Sequence, residues 1–324
     1  MDELVDFLKS LPEIYRLNVL DLGGCKGLKK RHLKSICKVI SLKYLSLRNT
    51  DVKQLRVRHI QNLRLLETLD IRGTDVPPGD MKHIFLPKLK HLFAGSRLKT
   101  SSVDAGTIRM SAEVSLSTVQ MPRRIGMMRN METLCHVQVS DDGTNLDGVA
   151  KLPRLRKLSV GIRGNDTTAK HLSRVISASK CLCSLSIWIA NGGALDLSMQ
   201  HNASFSASSL ILENLEIKGK TSLPSWIEEL QKPSNITLRD TLLKDEDQRR
   251  LGQLQGLRCL SLCCNSYSES VLNFKAGQFK ALKFLVIEGH KIRSIVFEAG
   301  AAPHLERIAW TFDRTEKAVP ISGL

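Results

Sequence analysis

Two neighbouring stretches of the chain repeat one arrangement of apolar and polar positions. Leu42, Leu45 and Leu47 are followed by Asn49-Thr50 and Val52. Leu66, Leu69 and Ile71, 24 residues further on, are followed by Gly73-Thr74 and Val76. The second and third apolar residues of each triplet stand two apart. That puts both on one face of a short β-strand and turns the residues between and beside them to the opposite face. A strand of this kind buries only one side, and a single copy cannot complete a core, so the pattern predicts a stack of copies.

Further copies are present along the chain. Leu4, Phe7, Leu8 and Leu11 have helical spacing and predict a helical lead-in over residues 1–16, with Pro12 to end it. The first copy is Leu17, Leu20 and Leu22, turned off its strand by Gly23-Gly24-Cys25. Its return segment carries Leu33, Ile36, Cys37 and Ile40 at intervals of three and four, which predicts an outer helix with these residues facing inward. In the next return segment Ile60 and Leu63 point to the core. A weaker copy has Leu86, Leu89 and Leu92, with Ala94 where a large residue is expected. Residues 96–118 are rich in Ser, Thr and Ala and read as a loop or an irregular copy, with no strands assigned. The register returns through Ile125, Met128, Met131, Leu134, Val137 and Val139, then Leu155, Leu158 and Val160. A helix is predicted through Ala169, Leu172, Val175 and Ile176. Leu182, Leu185 and Ile187 precede a second irregular stretch at 191–209. Leu212, Leu215 and Ile217 follow, then Leu223, Trp226, Ile227 and Leu230 and a spare strand at Ile236 and Leu238. The last copies are Leu257, Leu260 and Leu262; Leu282, Leu285 and Ile287; and Leu305, Ile308 and Trp310.

Leucine at i, i+3 and i+5 with a period of about 20 to 29 residues is the leucine-rich repeat pattern. The predicted fold is therefore an α/β solenoid: a curved horseshoe with a parallel sheet on the concave face and helices and irregular loops on the convex one. The domain layout is a lead-in over 1–16 and one repeat domain over 17–324.

Charge alters this picture little. The formal net charge is +16, which permits contact with nucleic acid, an anionic membrane or an acidic protein. The basic residues are scattered, with short clusters such as Lys29-Lys30-Arg31, and read as a distributed solvated surface. The start Met1-Asp2-Glu3 is acidic and unlike a secretory leader, and no run of about 18 apolar residues is present. The eight cysteines form no CxxC pair, which predicts a reduced chain in the cytoplasm, with the nucleus also open to it. Phosphate-loop, dinucleotide, zinc-protease, nucleophile-elbow and kinase motifs are missing. No enzyme activity, catalytic residue, cofactor or metal site is expected.

A binding surface is expected instead. The outward positions of the strands include Tyr44, Ser46 and Arg48; Thr68, Asp70 and Arg72; His91 and Phe93; His136 and Gln138; Lys157 and Ser159; Ser184, Ser186 and Trp188; Asn214, Glu216 and Lys218; Arg239; Cys259, Ser261 and Cys263; Phe284, Val286 and Glu288; and Arg307, Ala309 and Thr311. Arg48 and Arg72 fall at equivalent positions on neighbouring strands, about 5 Å apart, which favours an acidic partner, with Asp70 close enough to neutralise part of the charge. Trp188, Phe284, Val286, Cys259 and Cys263 put apolar or soft groups on the same face. Aromatics with arginines nearby form binding hot spots. Two other readings of these apolar groups stay open: that 191–209 covers them, or that the register is off by one. The candidate partner-binding residues are Tyr44, Arg48, Arg72, Phe93, Lys157, Trp188, Lys218, Arg239, Phe284 and Arg307.

The run LKYLSLRNTDVKQL…IQNLRLLETLDIRGTDV resembles the repeat domain of plant intracellular immune receptors of the nucleotide-binding, leucine-rich repeat type, in particular the coiled-coil class of cereals. PRRIGMMRNMETL at 122–134 resembles that family's linker between repeats, and LRKLSV, LPSWI, ITLRDTLL, LRCLSL, FKALKFLVIEG and FEAGAAPHLERIAW match its later repeats in order. Arg56, where the linker usually has proline, and residues 96–118 depart from it. The resemblance implies a role in defence. The partner would be a pathogen effector, a guarded host protein, or the receptor's own nucleotide-binding module (NB-ARC), restrained in cis or in trans. The sequence given holds neither a coiled-coil nor a nucleotide-binding module, so ATP switching is not carried over. The alternatives are a substrate-recognition arm of a ubiquitin ligase, for whose helical F-box segment residues 1–16 are too short, and a basic nucleic-acid binder.

Overall fold

The computed structural model describes residues 2–10, 17–99, 114–163, 166–190, 211–289, 291–311 and 321–323. These residues divide into two compact units, one over 1–99 and 114–161 and the other over 162–324.

The first unit begins with α1 (Asp2–Ser10) and continues through β1 (Val19–Asp21), α2 (Lys30–Ile36), β2 (Tyr44–Ser46), α3 (Val57–Ile60), β3 (Thr68–Asp70), β4 (His91–Phe93), β5 (Ser96–Lys99), β6 (Val114–Ser117), β7 (Val119–Gln120), β8 (Thr133–Gln138), α4 (Leu146–Val149) and β9 (Lys157–Ile162). Strands β1, β2, β3, β4, β8 and β9 pair in that order, all parallel, and β7 pairs the far end of β8. Leu20, Leu45, Leu69, Leu92, Leu134 and Leu158 stand in one row through that register. The last five are fully buried, so each contributes about 1.5–3 kcal/mol of apolar burial against the entropy of ordering the chain.

The second unit contains α5 (Asp166–Ala178), β10 (Ser184–Ile189), β11 (Asn214–Lys218), β12 (Asn235–Arg239), α6 (Asp245–Gly252), β13 (Cys259–Cys263), β14 (Val271–Phe274), β15 (Phe284–Glu288), β16 (Ser294–Phe297), β17 (Arg307–Thr311) and β18 (Ile321–Ser322). Strands β10, β11, β12, β13, β15 and β17 pair in parallel with unbroken register. A smaller parallel sheet, β14-β16-β18, lies in the same unit. Helix α5 buries Ala169, Leu172, Val175 and Ile176, one face of its turns.

Seven of the strands, β1, β2, β3, β11, β12, β13 and β15, are closed by a left-handed backbone residue. Four positions past the central leucine stand Gly24 (φ 77°), Asn49 (55°) and Gly73 (66°) in the first unit. Gly219 (108°), Asp240 (55°), Cys264 (59°) and Gly289 (130°) do the same in the second. Each donates its N–H across to the next repeat, as Asn49 does to the Arg72 carbonyl (2.7 Å) and Gly289 to that of Thr311 (3.2 Å). The turn thus continues the ladder where the strand stops. Glycine, asparagine and aspartate tolerate this conformation best.

Several expectations are corrected. Ile40 is 66% exposed, because α2 closes at Ile36 and the turn that follows swings Ile40 outward. Within 96–118, no strands were expected, yet β5 and β6 pair antiparallel; residues 100–113 lie outside the described residues. The alternation there is too polar to read as a buried strand. The strand at Ile236 and Leu238 is no spare: it is β12, a full member of the sheet between β11 and β13. The step from Leu215 to Ile236 is 21 residues, shorter than the 24 from Ile236 to Leu260, and a 3-10 turn at Ser225–Glu229 replaces a return helix. The stretch 191–209 lies outside the described residues, as do residues 11–16 of the lead-in.

Candidate functional site

In both units the outward face of the sheet is built from rows of side chains that the register places side by side. In the first unit one row runs Tyr44, Thr68, His91, Thr133, Lys157 and the next Ser46, Asp70, Phe93, Cys135. Arg72 lies beyond Asp70 on the same face, two residues on, and folds back. Its Nε and Nη2 donate to the Asp70 carboxylate at 2.9 and 2.5 Å. Asp70 is buried and Arg72 is 39% exposed on its side chain. The carboxylate holds the guanidinium above its ordinary pKa. The guanidinium carbon lies 4.9 Å from the centre of the Phe93 ring, a cation–π distance. Phe93 stacks on His91 at 6.1 Å, and His91 Nδ1 is 3.2 Å from the Thr133 hydroxyl. Arg48 occupies the equivalent position one repeat earlier but stays exposed. Its charge, after the Ser46 hydroxyl and the Gly23 N–H, helps hold the Asp21 carboxyl below the usual range. So the two arginines are neighbours along the sheet, but Arg72 is locally neutralised and Arg48 is the one presented to solvent. Lys157 is exposed at the start of β9.

The alternation fails once in this unit. His136 has φ 58°, and the β8–β9 register shifts between Leu134 and Val137. This is a β-bulge, which places an extra residue in β8. Thr133 and Cys135 join the outward rows as a result, and neither was read from the sequence. His136 Nδ1 lies 3.0 Å from the Ala94 carbonyl.

In the second unit the rows are Ser184, Asn214, Asn235, Cys259, Phe284, Arg307; then Ser186, Glu216, Thr237, Ser261, Val286, Ala309; then, beginning at Trp188, Lys218, Arg239, Cys263, Glu288, Thr311. The register is the one read from the sequence, so Trp188 and Cys263 do stand at outward positions, but both are buried. Trp188 Nε1 donates to the Ser186 hydroxyl (2.9 Å), which donates to Glu216 (3.0 Å). The Lys218 ammonium lies 4.9 Å from the centre of the Trp188 ring. Arg239 bridges to Glu288 at 3.4 Å and donates to Cys264 Sγ at 3.3 Å. These contacts tie the third row to itself. The first row differs: Phe284 is 40% exposed beside exposed Arg307 and half-buried Cys259. Of the candidate residues, the structure leaves Arg48, Lys157, Phe284 and Arg307 most open and folds Arg72, Trp188 and Arg239 into contacts within the sheet.

Burial decides the chemistry of the cysteines. It pushes the thiols of Cys37 and Cys263 up to about 12, so at pH 8 roughly one in ten thousand is thiolate. Cys181 is exposed. Iodoacetamide at pH 8 is expected to modify Cys181 first and to reach Cys37 and Cys263 only after denaturation, as mass mapping of the labelled peptides will show.

Two parallel ladders of short strands, stepping 21 to 25 residues except for 42 from Leu92 to Leu134 and 30 from Leu185 to Leu215, with left-handed exits and rows of buried leucines and isoleucines, define a leucine-rich repeat protein. The chain belongs to the leucine-rich repeat region family, whose model matches residues 2–321. It is similar to disease resistance protein Pik-2 of Oryza sativa subsp. japonica, 27% identical over 91% of this chain and 32% of the relative. It is also similar to disease resistance protein RGA4 of the same organism, 31% identical over 44% of this chain and 13% of the relative. The chain spans about a third of the length of Pik-2 and its like. Among solved structures it aligns with the repeat ectodomain of the plant membrane receptor kinase GASSHO1/SCHENGEN3 from Arabidopsis thaliana. That match has a TM-score of 0.47 and 14% identity, over 91% of this chain and 39% of the other. Among the described residues no helix is long and apolar enough to cross a membrane.

Proposed function

We propose that this chain is the protein-binding repeat region of a plant disease resistance protein, acting in the cytoplasm or the nucleus. Its outward sheet face would dock a pathogen effector or a guarded host protein, or would hold a nucleotide-binding module in restraint. The observation that carries this reading is the similarity to Pik-2, which runs along 91% of the chain and not through one repeat alone. The exposed pair Phe284 and Arg307 is the proposed centre of the contact. They combine an aromatic anchor with a cation, the residue types that dominate interface energetics, and among the described residues no cation or aromatic contact ties Phe284 down as Lys218 ties Trp188.

The test is genetic. Disrupting the encoding gene and inoculating with a panel of pathogen isolates should let at least one isolate grow better. The wild-type gene should restore resistance, whereas a gene carrying Phe284→Asp and Arg307→Glu should not, with equal protein accumulation. Unchanged growth of every isolate in the disrupted plants would reject the proposal.

A further inference from the structure

We propose that the helical side of the first unit is a docking surface for an anionic lipid bilayer. The surface is built by α2, its exit turn and α3. Lys30 and Lys34 stand four residues apart on α2, which sets them on one face of the helix; Lys38 follows in the exit turn, and all three are exposed, as is Arg58 on α3. Arg56 and His59 lie between them, half-buried. His59 is held below the ordinary histidine pKa by burial first and then by the charges of Arg58, Arg56, Lys34 and Lys30, so these five groups share one field.

Three nearby carboxylates are engaged by other groups, while Glu3 and Asp6 stand exposed on α1. Asp2 binds Arg31 and His32. Asp51 accepts the N–H groups of Gly27 and Leu28, and Asp80 accepts that of Leu55. Like charges gathered this closely cost the folded state energy that an anionic partner returns.

The apolar groups around the patch say which anion. Ile40, two residues past Lys38 in the exit turn, is 66% exposed. Phe7, on the helix that Asp2 ties to α2, is 56% exposed. A basic face edged with exposed aliphatic and aromatic groups is the composition of a surface that rests on headgroups and inserts its apolar tips among acyl chains. A phosphodiester backbone would use the lysines but gain nothing from Ile40.

Co-sedimentation of the full chain with phosphatidylcholine vesicles, with and without phosphatidylserine, tests this. Binding is expected only to the vesicles with phosphatidylserine and is expected to fall steeply with salt. Lys34→Gln and Arg58→Gln should each lower partitioning about five-fold. Ile40→Ser should lower it with every charge in place. All three positions are exposed or at a turn, and unchanged circular dichroism will confirm that the variants fold. No binding at low salt, equal binding to pure phosphatidylcholine, or release from vesicles by a more tightly bound duplex oligonucleotide would each overturn the proposal.

Discussion

Phe274→Ala is expected to lower the stability of the second unit by about 3–5 kcal/mol, the cost of removing a fully buried aromatic ring and leaving a cavity. Phe274 is completely buried. Its ring centre lies 4.8 Å from that of Phe279 and 4.6 Å from that of Phe297, so the three rings fill the space behind β14 and β16. Apart from area, such ring pairs contribute about 0.5–1.5 kcal/mol each. Because repeats interact with their nearest neighbours, the loss should appear in hydrogen exchange as weakened protection concentrated in β13 to β17. Val271→Ser, on the same strand but 37% exposed, serves as the control and should change stability by no more than about 0.5 kcal/mol. A urea midpoint for Phe274→Ala close to that of the control would show that the cluster is not packed as described.

The second large effect comes from backbone alone. Gly289→Ala is expected to cost about 2–4 kcal/mol, combining a forbidden backbone region with a clash. Gly289 has φ 130°, and a Cβ there would stand 2.8 Å from the Cys264 carbonyl oxygen and 3.1 Å from its Cα. These are backbone atoms of the preceding left-handed exit and cannot rotate away. Gly277 makes the comparison: its φ is 74°, but a Cβ meets nothing within 4 Å, so Gly277→Ala should cost only the conformational penalty of about 1–2 kcal/mol. Thermal unfolding of the two variants side by side measures the difference. Equal losses would mean that the repeats yield at Gly289 without resistance.

These two sites also show how far the chain can be read without a structure. The inward leucines and the turn off the first strand at Gly23-Gly24-Cys25 were legible, since both follow from the alternation and from the spacing of the repeat. The sheet that Phe274 helps to pack was not. Val271 to Phe274 alternates as a strand should, but it falls in the return segment, where the repeat pattern leads to a helix, and four residues are too few to decide between the two periods. The bulge in β8 was hidden for another reason. His136 takes the left-handed conformation without a glycine or asparagine to mark it, and the alternation on either side of it is intact.

Much of the outward face was readable by position and little of it by exposure. Trp188 sits in the row where the sequence put it, yet its side chain is buried, bonded to Ser186 and lying under the Lys218 ammonium. Arg72 could be seen to neighbour Asp70, but whether it would reach toward a partner or fold back was a matter of geometry. The basic stripe on α2 and α3 looked scattered along the chain because its members come from two consecutive repeats. Residues 24 positions apart in sequence are adjacent in the fold.

One feature of the strand ladder bears on how such arrays change length. The residues that precede β2, β3, β4, β8 and β9 are Lys43, Glu67, Lys90, Glu132 and Arg156, and backbone hydrogen bonds from Glu67 to Lys43, Lys90 to Glu67, Glu132 to Lys90 and Arg156 to Glu132 set them side by side. Lys90 and Glu67 are in direct contact at 2.7 Å. The signs therefore alternate along the margin of the sheet. Loss of a single repeat by recombination would bring two like charges together at the new junction, whereas loss of two would restore the alternation. Each contact is weak at an exposed margin, but the bias has a direction: between β2 and β9 the first unit carries a parity, and there it shortens or lengthens most smoothly by pairs.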